Sequence, residues 1–128
     1  MRLLLDTHAF LWFCEGSNAL SPAARAAMED ANNVCFVSHA TAWEVAIKAR
    51  LGKLELRVPY DSLFPDAVLA NGFTLLTSDI RHYRQIIELP LHHRDPFDRL
   101  LVAQAMVEEL TLVTCDPPFS AYGVPLLW

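Results

Sequence analysis

Five short runs of mostly apolar residues recur along the chain, and polar residues close the first four. Arg2–Leu5 is closed by Asp6, 34–37 by Ser38, 73–76 by Thr77-Ser78-Asp79, and 111–114 by Cys115-Asp116-Pro117-Pro118; the fifth, 124–127, lies at the carboxyl terminus. Runs of this length, without alternation, predict strands buried on both faces. Between them lie helical patterns with start and stop signals. Thr7 to Phe13 reads as a helix ended by the turn Glu15-Gly16-Ser17-Asn18. Ser21-Pro22 opens a helix over 23–31, and another over 40–51 stops at Gly52. Residues 53–58 read as an irregular link, 61–71 as a helix, and Asp79 as the cap of a helix running to about Glu88. Strands apolar on both faces, alternating with helices, predict one domain over 1–128: an α/β fold, a three-layer α/β/α sandwich with a central parallel sheet.

The last helix stands apart. Asp95-Pro96-Phe97-Asp98 places an N-cap, a proline in the first turn and a second carboxylate at the third helical position. Beyond it Arg99 and Gln104 are the only polar residues before Glu108, so the helix is expected to be buried on most sides. Ligands of open parallel sheets bind outside the carboxyl ends of the strands. Asp6, Ser38, Asp79 and Asp116 follow those ends, Asp98 opens a helix running back to the sheet, and Glu44 lies in the first turns of the helix after the second strand.

Each acid also has an ordinary reading. Asp6, Asp79 and Asp95 are natural caps, Asp116 before two prolines is a natural turn residue, and Glu44 can pair with Thr41 or with Lys48 one turn on. Capping explains the individual positions better than it explains four acids on one rim. Crowded carboxylates need raised pKa values or a neutralising cation. An oxygen-only set suits Mg²⁺ or Mn²⁺, and such sites serve phosphodiester hydrolysis.

Composition narrows the setting. With 128 residues, 53% hydrophobic and 20% charged, the chain can bury a core. The net charge of −5 argues against gripping nucleic acid by bulk electrostatics, but not against contacting phosphate through cations held in an acidic pocket. No apolar run reaches the ~20 residues of a membrane span. Asp6 and His8 interrupt the amino-terminal run too early for a signal peptide, which predicts a cytoplasmic protein. Cys14, Cys35 and Cys115 lack zinc-ligand spacing and are expected to be reduced core residues. His8, His39, His82, His92 and His93 show no metal-ligand spacing beyond the adjacent pair, and structural or supporting roles are expected for all five.

Four segments taken together resemble a known family. They are Leu5-Asp6-Thr7-His8; Ala42 to Lys48 with Gly52-Lys53-Leu54; His93 to Arg99 with Ala103-Gln104-Ala105; and Val113 to Asp116 with Phe119 and Tyr122. In that order they resemble the PIN-domain proteins, and among them the VapC-type toxins of bacterial toxin–antitoxin pairs. The resemblance implies a metal-dependent endoribonuclease whose acidic quartet is Asp6, Glu44, Asp98 and Asp116, supported by Thr7, Ser38 and Thr114. Mg²⁺ would be the cofactor, with Mn²⁺ as a substitute. Many relatives carry a further acid two residues beyond the fourth; Pro118 stands there, which implies one firmly held ion and a second that is weak or brought by substrate. Lys48, Arg94 and Arg99 are candidate phosphate contacts, with solvated or intrahelically paired charges as the plainer reading. The resemblance further implies RNA as substrate, a VapB-type antitoxin as partner, and a homodimer or a toxin–antitoxin hetero-oligomer. Phe10, Trp12 and Phe13 are compatible with an interface and equally with core packing. A catalytically inactive binding module on the same fold is the alternative. An aspartyl phosphatase would need an acid where His8 stands, and a receiver domain would need a lysine near Cys115-Asp116-Pro117.

Overall fold

In the computed structural model, residues 1–92 and 94–128 are described, so His93 and its expected role lie outside the described residues. The strands are β1 (Arg2–Leu5), β2 (Val34–Ser38), β3 (Thr74–Leu76), β4 (Thr111–Val113) and β5 (Leu126–Leu127). They form one sheet in the order β3-β2-β1-β4-β5, and every pairing is parallel. The helices are α1 (Thr7–Glu15), α2 (Pro22–Glu29), α3 (His39–Arg50), α4 (Val68–Ala70), α5 (Ile80–Glu88) and α6 (Pro96–Glu108).

Alternation along β1 shows why the sheet carries two cores. Leu3 and Leu5 pack on one face with α1, α2 and Val45 of α3, while Leu4 faces the opposite cluster built on α6 and Leu112. Both faces are therefore covered, and the sandwich is three layers deep. Leu100 to Ala105, six consecutive residues of α6, are buried, as its apolar circumference predicts. Phe10 is fully buried, and Trp12 and Phe13 pack against the same core. That removes Phe10 from any interface.

Two expectations need correction. The helix expected over 61–71 is broken into a widened, π-type helical segment, Ser62–Ala67, leading into the single turn of α4. Phe64 is extended (φ −127°, ψ 107°) because it precedes Pro65, whose ring disfavours helical geometry in the residue before it. Cys115 is exposed, unlike buried Cys35 and half-buried Cys14; it belongs to the loop after β4, not to the core. No helix among the described residues is long and apolar enough to cross a membrane.

Candidate functional site

The chain runs outward from β1 through β2 to β3, then crosses back to β4 and β5 on the other side of β1. That reversal opens a crevice at the carboxyl ends of β1 and β4, the position where such sheets bind ligands. Asp6 follows β1 and Asp116 follows β4. Their loops are held together because the Asp6 N–H donates to the Val113 carbonyl at 3.1 Å.

Asp6 is 5% exposed. One carboxylate oxygen accepts from the Ala9 N–H at 2.7 Å and so caps α1. The Thr114 hydroxyl also bonds Asp6, and accepts from the Asp116 N–H at 3.0 Å, linking the two acids. Burial is the main force raising the Asp6 carboxyl above its usual range, and the charge of Asp116 adds to it.

Glu44, 4% exposed, faces the same crevice from α3. The Thr7 hydroxyl donates to one of its oxygens at 2.5 Å, and the Lys48 ammonium pairs with the other. Asp98 enters from α6, whose first turn is opened by Asp95 accepting from the Phe97 and Asp98 N–H groups at 2.8 and 3.1 Å. Asp98 is pushed up to about 7, first by burial and then by the charges of Asp95, Glu44, Asp116 and Asp6. Because those charges reach Asp98 together, the four acids read from the sequence share one electrostatic site. Its oxygen-only donors fit a hard divalent cation better than a soft one.

The supporting residues divide. Thr7 and Thr114 touch site carboxylates, whereas Ser38 caps α3 through the Ala40 N–H at 3.0 Å and donates to Gln104 at 2.6 Å. Gln104, fully buried, reaches on to the Ser78 hydroxyl at 3.3 Å, so it ties the ends of β2 and β3 to α6. A lone amide in an apolar helix was the sequence signal for that clamp. Among the cations, Lys48 lies at the acid cluster and Arg94 is exposed. Arg99 is turned away from the role suggested for it: its guanidinium donates to the Pro90 carbonyl at 2.8 Å, with the Ile86 and Leu89 carbonyls at 3.3 and 3.4 Å. It closes the end of α5 instead.

Asp79, His82 and Glu108 form a second cluster of metal-ligating atoms, all within 4.8 Å. It carries its own cation. Arg81 donates to both carboxylates at 2.8 Å, the Asp79 N–H occupies His82 Nδ1 at 3.0 Å, and His82 Nε2 faces Glu108 at 3.0 Å. With Nδ1 accepting, Nε2 carries the proton and donates. Both nitrogens are engaged, and the cluster locks α5 to α6.

A three-layer parallel sheet with acids gathered at its switch point defines a PIN-type domain. The PIN domain family model matches residues 3–125, and the chain belongs to that family. The chain is 41% identical over 58 residues to Ribonuclease VapC16 of Mycobacterium tuberculosis, a match covering 45% of this chain and 41% of that relative. It therefore spans about two fifths of the length of the curated relative it matches. Among solved structures, it is similar to VapBC2 from Rickettsia felis bound to a promoter DNA fragment, with TM-score 0.74, 18% identity, and 99% and 98% of the two chains covered. It is also similar to a toxin–antitoxin complex from Klebsiella pneumoniae, with TM-score 0.64, 19% identity, and 98% and 96% covered. At these identities the likeness is one of fold.

Proposed function

We propose that this protein is a Mg²⁺- or Mn²⁺-dependent endoribonuclease acting as the toxin of a toxin–antitoxin pair in the cytoplasm. The observation that carries this reading is the elevation of Asp98 to about 7 by burial and four neighbouring carboxylates. A cluster that suppresses its own ionisation gains most from a bound cation. The family membership and the local identity to a ribonuclease support RNA as the substrate.

Asp6, Asp98 and Asp116 would hold the ion, which when bound supplies Lewis acidity at the phosphodiester. Thr114 fixes Asp6 relative to the backbone of Asp116. Glu44, bonded by Thr7 and Lys48, would orient the attacking water and take its proton. Attack in line with the 3′-oxygen forms the new P–O bond as the old one breaks, leaving a 5′-phosphate and a 3′-hydroxyl.

For partners, we read an antitoxin of the VapB type and a second copy of the chain as occupants of the molecule's surface. The exposed apolar stripe Ile80, Tyr83 and Ile87 on α5, with Trp43 and Leu91 also exposed, supports an assembly. The testing experiment is cleavage of fluorescently labelled RNA in Mg²⁺ or Mn²⁺. Cleavage is expected to stop in EDTA and to fall by more than about a hundredfold in Asp98→Asn, checked for folding by circular dichroism. Full activity in either case contradicts the assignment. An absence of both cleavage and metal binding favours the inactive binding module.

A further inference from the structure

The sequence holds only two lysines, Lys48 and Lys53, and both line one cavity of about 280 Å³ between α1 and α3. His8 and Thr7 of α1 and Glu44 of α3 line it too. The fold brings the second lysine there by a reversal after α3. Gly52 adopts a left-handed conformation (φ 71°), which lets the Lys53 N–H return to the Lys48 carbonyl at 2.9 Å, with the Leu54 N–H on the same carbonyl at 3.2 Å. Residue 53 is thus pinned back beside the last turn of α3, one turn beyond Glu44.

Glu44 lines the same cavity and already pairs with Lys48, so Lys53 brings a further positive charge there that an entering anion would meet. Lys48 sits at the border of the cavity and the acidic rim: it pairs with Glu44 and feels the charges of Asp95 and Asp98. His8 is exposed at the cavity edge, its ring held against Trp12 with centroids 5.3 Å apart. Glu44 belongs to both places, so whatever fills the cavity continues directly into the acidic crevice. A strand carrying one phosphate per unit meets both requirements at once, with its sugar against the apolar wall of Leu11, Val45 and Leu54.

We infer that this cavity binds the RNA backbone phosphate next to the one cleaved at the rim, with Lys53 and Lys48 as charge partners and His8 as a hydrogen-bond partner. The inference rests on the reading of the rim as a ribonuclease site and names its adjoining substrate position. Lys53 is the residue to test, because it is exposed and lies after the end of α3, outside the helices that carry the acidic quartet.

The experiment measures fluorescence anisotropy of fluorescein-labelled oligo(U) with the Asp98→Asn protein in Mg²⁺ buffer, where binding is read without turnover. Adding Lys53→Gln is expected to weaken binding by about threefold to tenfold and to reduce the salt slope by about 0.7, the loss of one phosphate contact on a single strand. Lys53→Arg should restore both, and Arg57→Gln, on the exposed loop outside the cavity, should match the parent. The inference is overturned if the parent does not bind, if Lys53→Gln equals the parent, or if Arg57→Gln weakens binding equally. It is also overturned if Lys53→Gln weakens binding of a labelled poly(Glu) peptide but not of oligo(U), since the cavity then belongs to an acidic protein partner. EDTA-sensitive cleavage by the unsubstituted protein is scored separately. Its presence, beside an inert Lys53→Gln, removes the cavity and leaves the nuclease; its absence removes the nuclease.

Discussion

Asp98 and Asp79 both stand at the start of a helix within a group of acids, yet their carboxyls are driven in opposite directions. Asp98 rises to about 7, whereas Asp79 falls to about 2. The sequence context is nearly the same; the neighbours differ. Asp79, whose side chain is 45% accessible, accepts from both the guanidinium and the backbone N–H of Arg81, with His82 and Glu108 completing the set. Asp98 is half-buried, and the groups that move it furthest after burial are four other carboxylates. Proximity of ligating atoms therefore does not identify a cation site. What separates the two clusters is the direction in which the surroundings move the acid: the Arg81 guanidinium lowers Asp79, whereas burial and neighbouring carboxylates raise Asp98.

The sharpest way to break this contrast is to remove the charge of Asp98. Its folded-state pKa lies above its ordinary value, so between about pH 4 and 7 the unfolded chain has lost this proton while the folded chain keeps it. In EDTA, stability should therefore fall as pH rises through that window and level off above it. Asp6, also raised by burial, adds to the same trend. Asp98→Asn should flatten the profile and raise Tm at pH 8 by a few degrees while eliminating cleavage, a gain in stability at the expense of function. Thermal melts across pH read this directly, and an unchanged profile would show that the rim does not carry the repulsion described. A smaller effect separates the two acids of α6. Asp95→Ala should cost about 1 kcal/mol through the lost cap, seen as a lower Tm, with turnover per folded molecule largely kept.

The architecture was legible because its signals are local. Five strand positions, the caps at Asp6, Ser21, Asp79 and Asp95, and the stop at Gly52 all follow from side-chain chemistry within a few residues. Their alternation on one parallel sheet is what points Asp6, Glu44, Asp98 and Asp116 to one rim. What escaped depends on contacts distant in sequence or on backbone geometry at a single residue. Proximity to Asp98 makes Arg99 a candidate phosphate contact in sequence, but the carbonyls that capture it lie nine to thirteen residues away. Pro65 interrupts the helical pattern over 61–71 at a single residue, leaving Phe64 extended. Lys53 reaches the cavity only through the reversal at Gly52, and Glu108 meets His82 only once α5 packs on α6.

The central claim, that the rim and not the Arg81-centred cluster is the cation site, is tested most directly by calorimetric titration of Mn²⁺ into three proteins at constant pH. The unsubstituted protein and Asp79→Asn should bind the ion alike, and Asp98→Asn should bind it at least about tenfold more weakly. Loss of binding in Asp79→Asn with binding retained in Asp98→Asn would contradict the account.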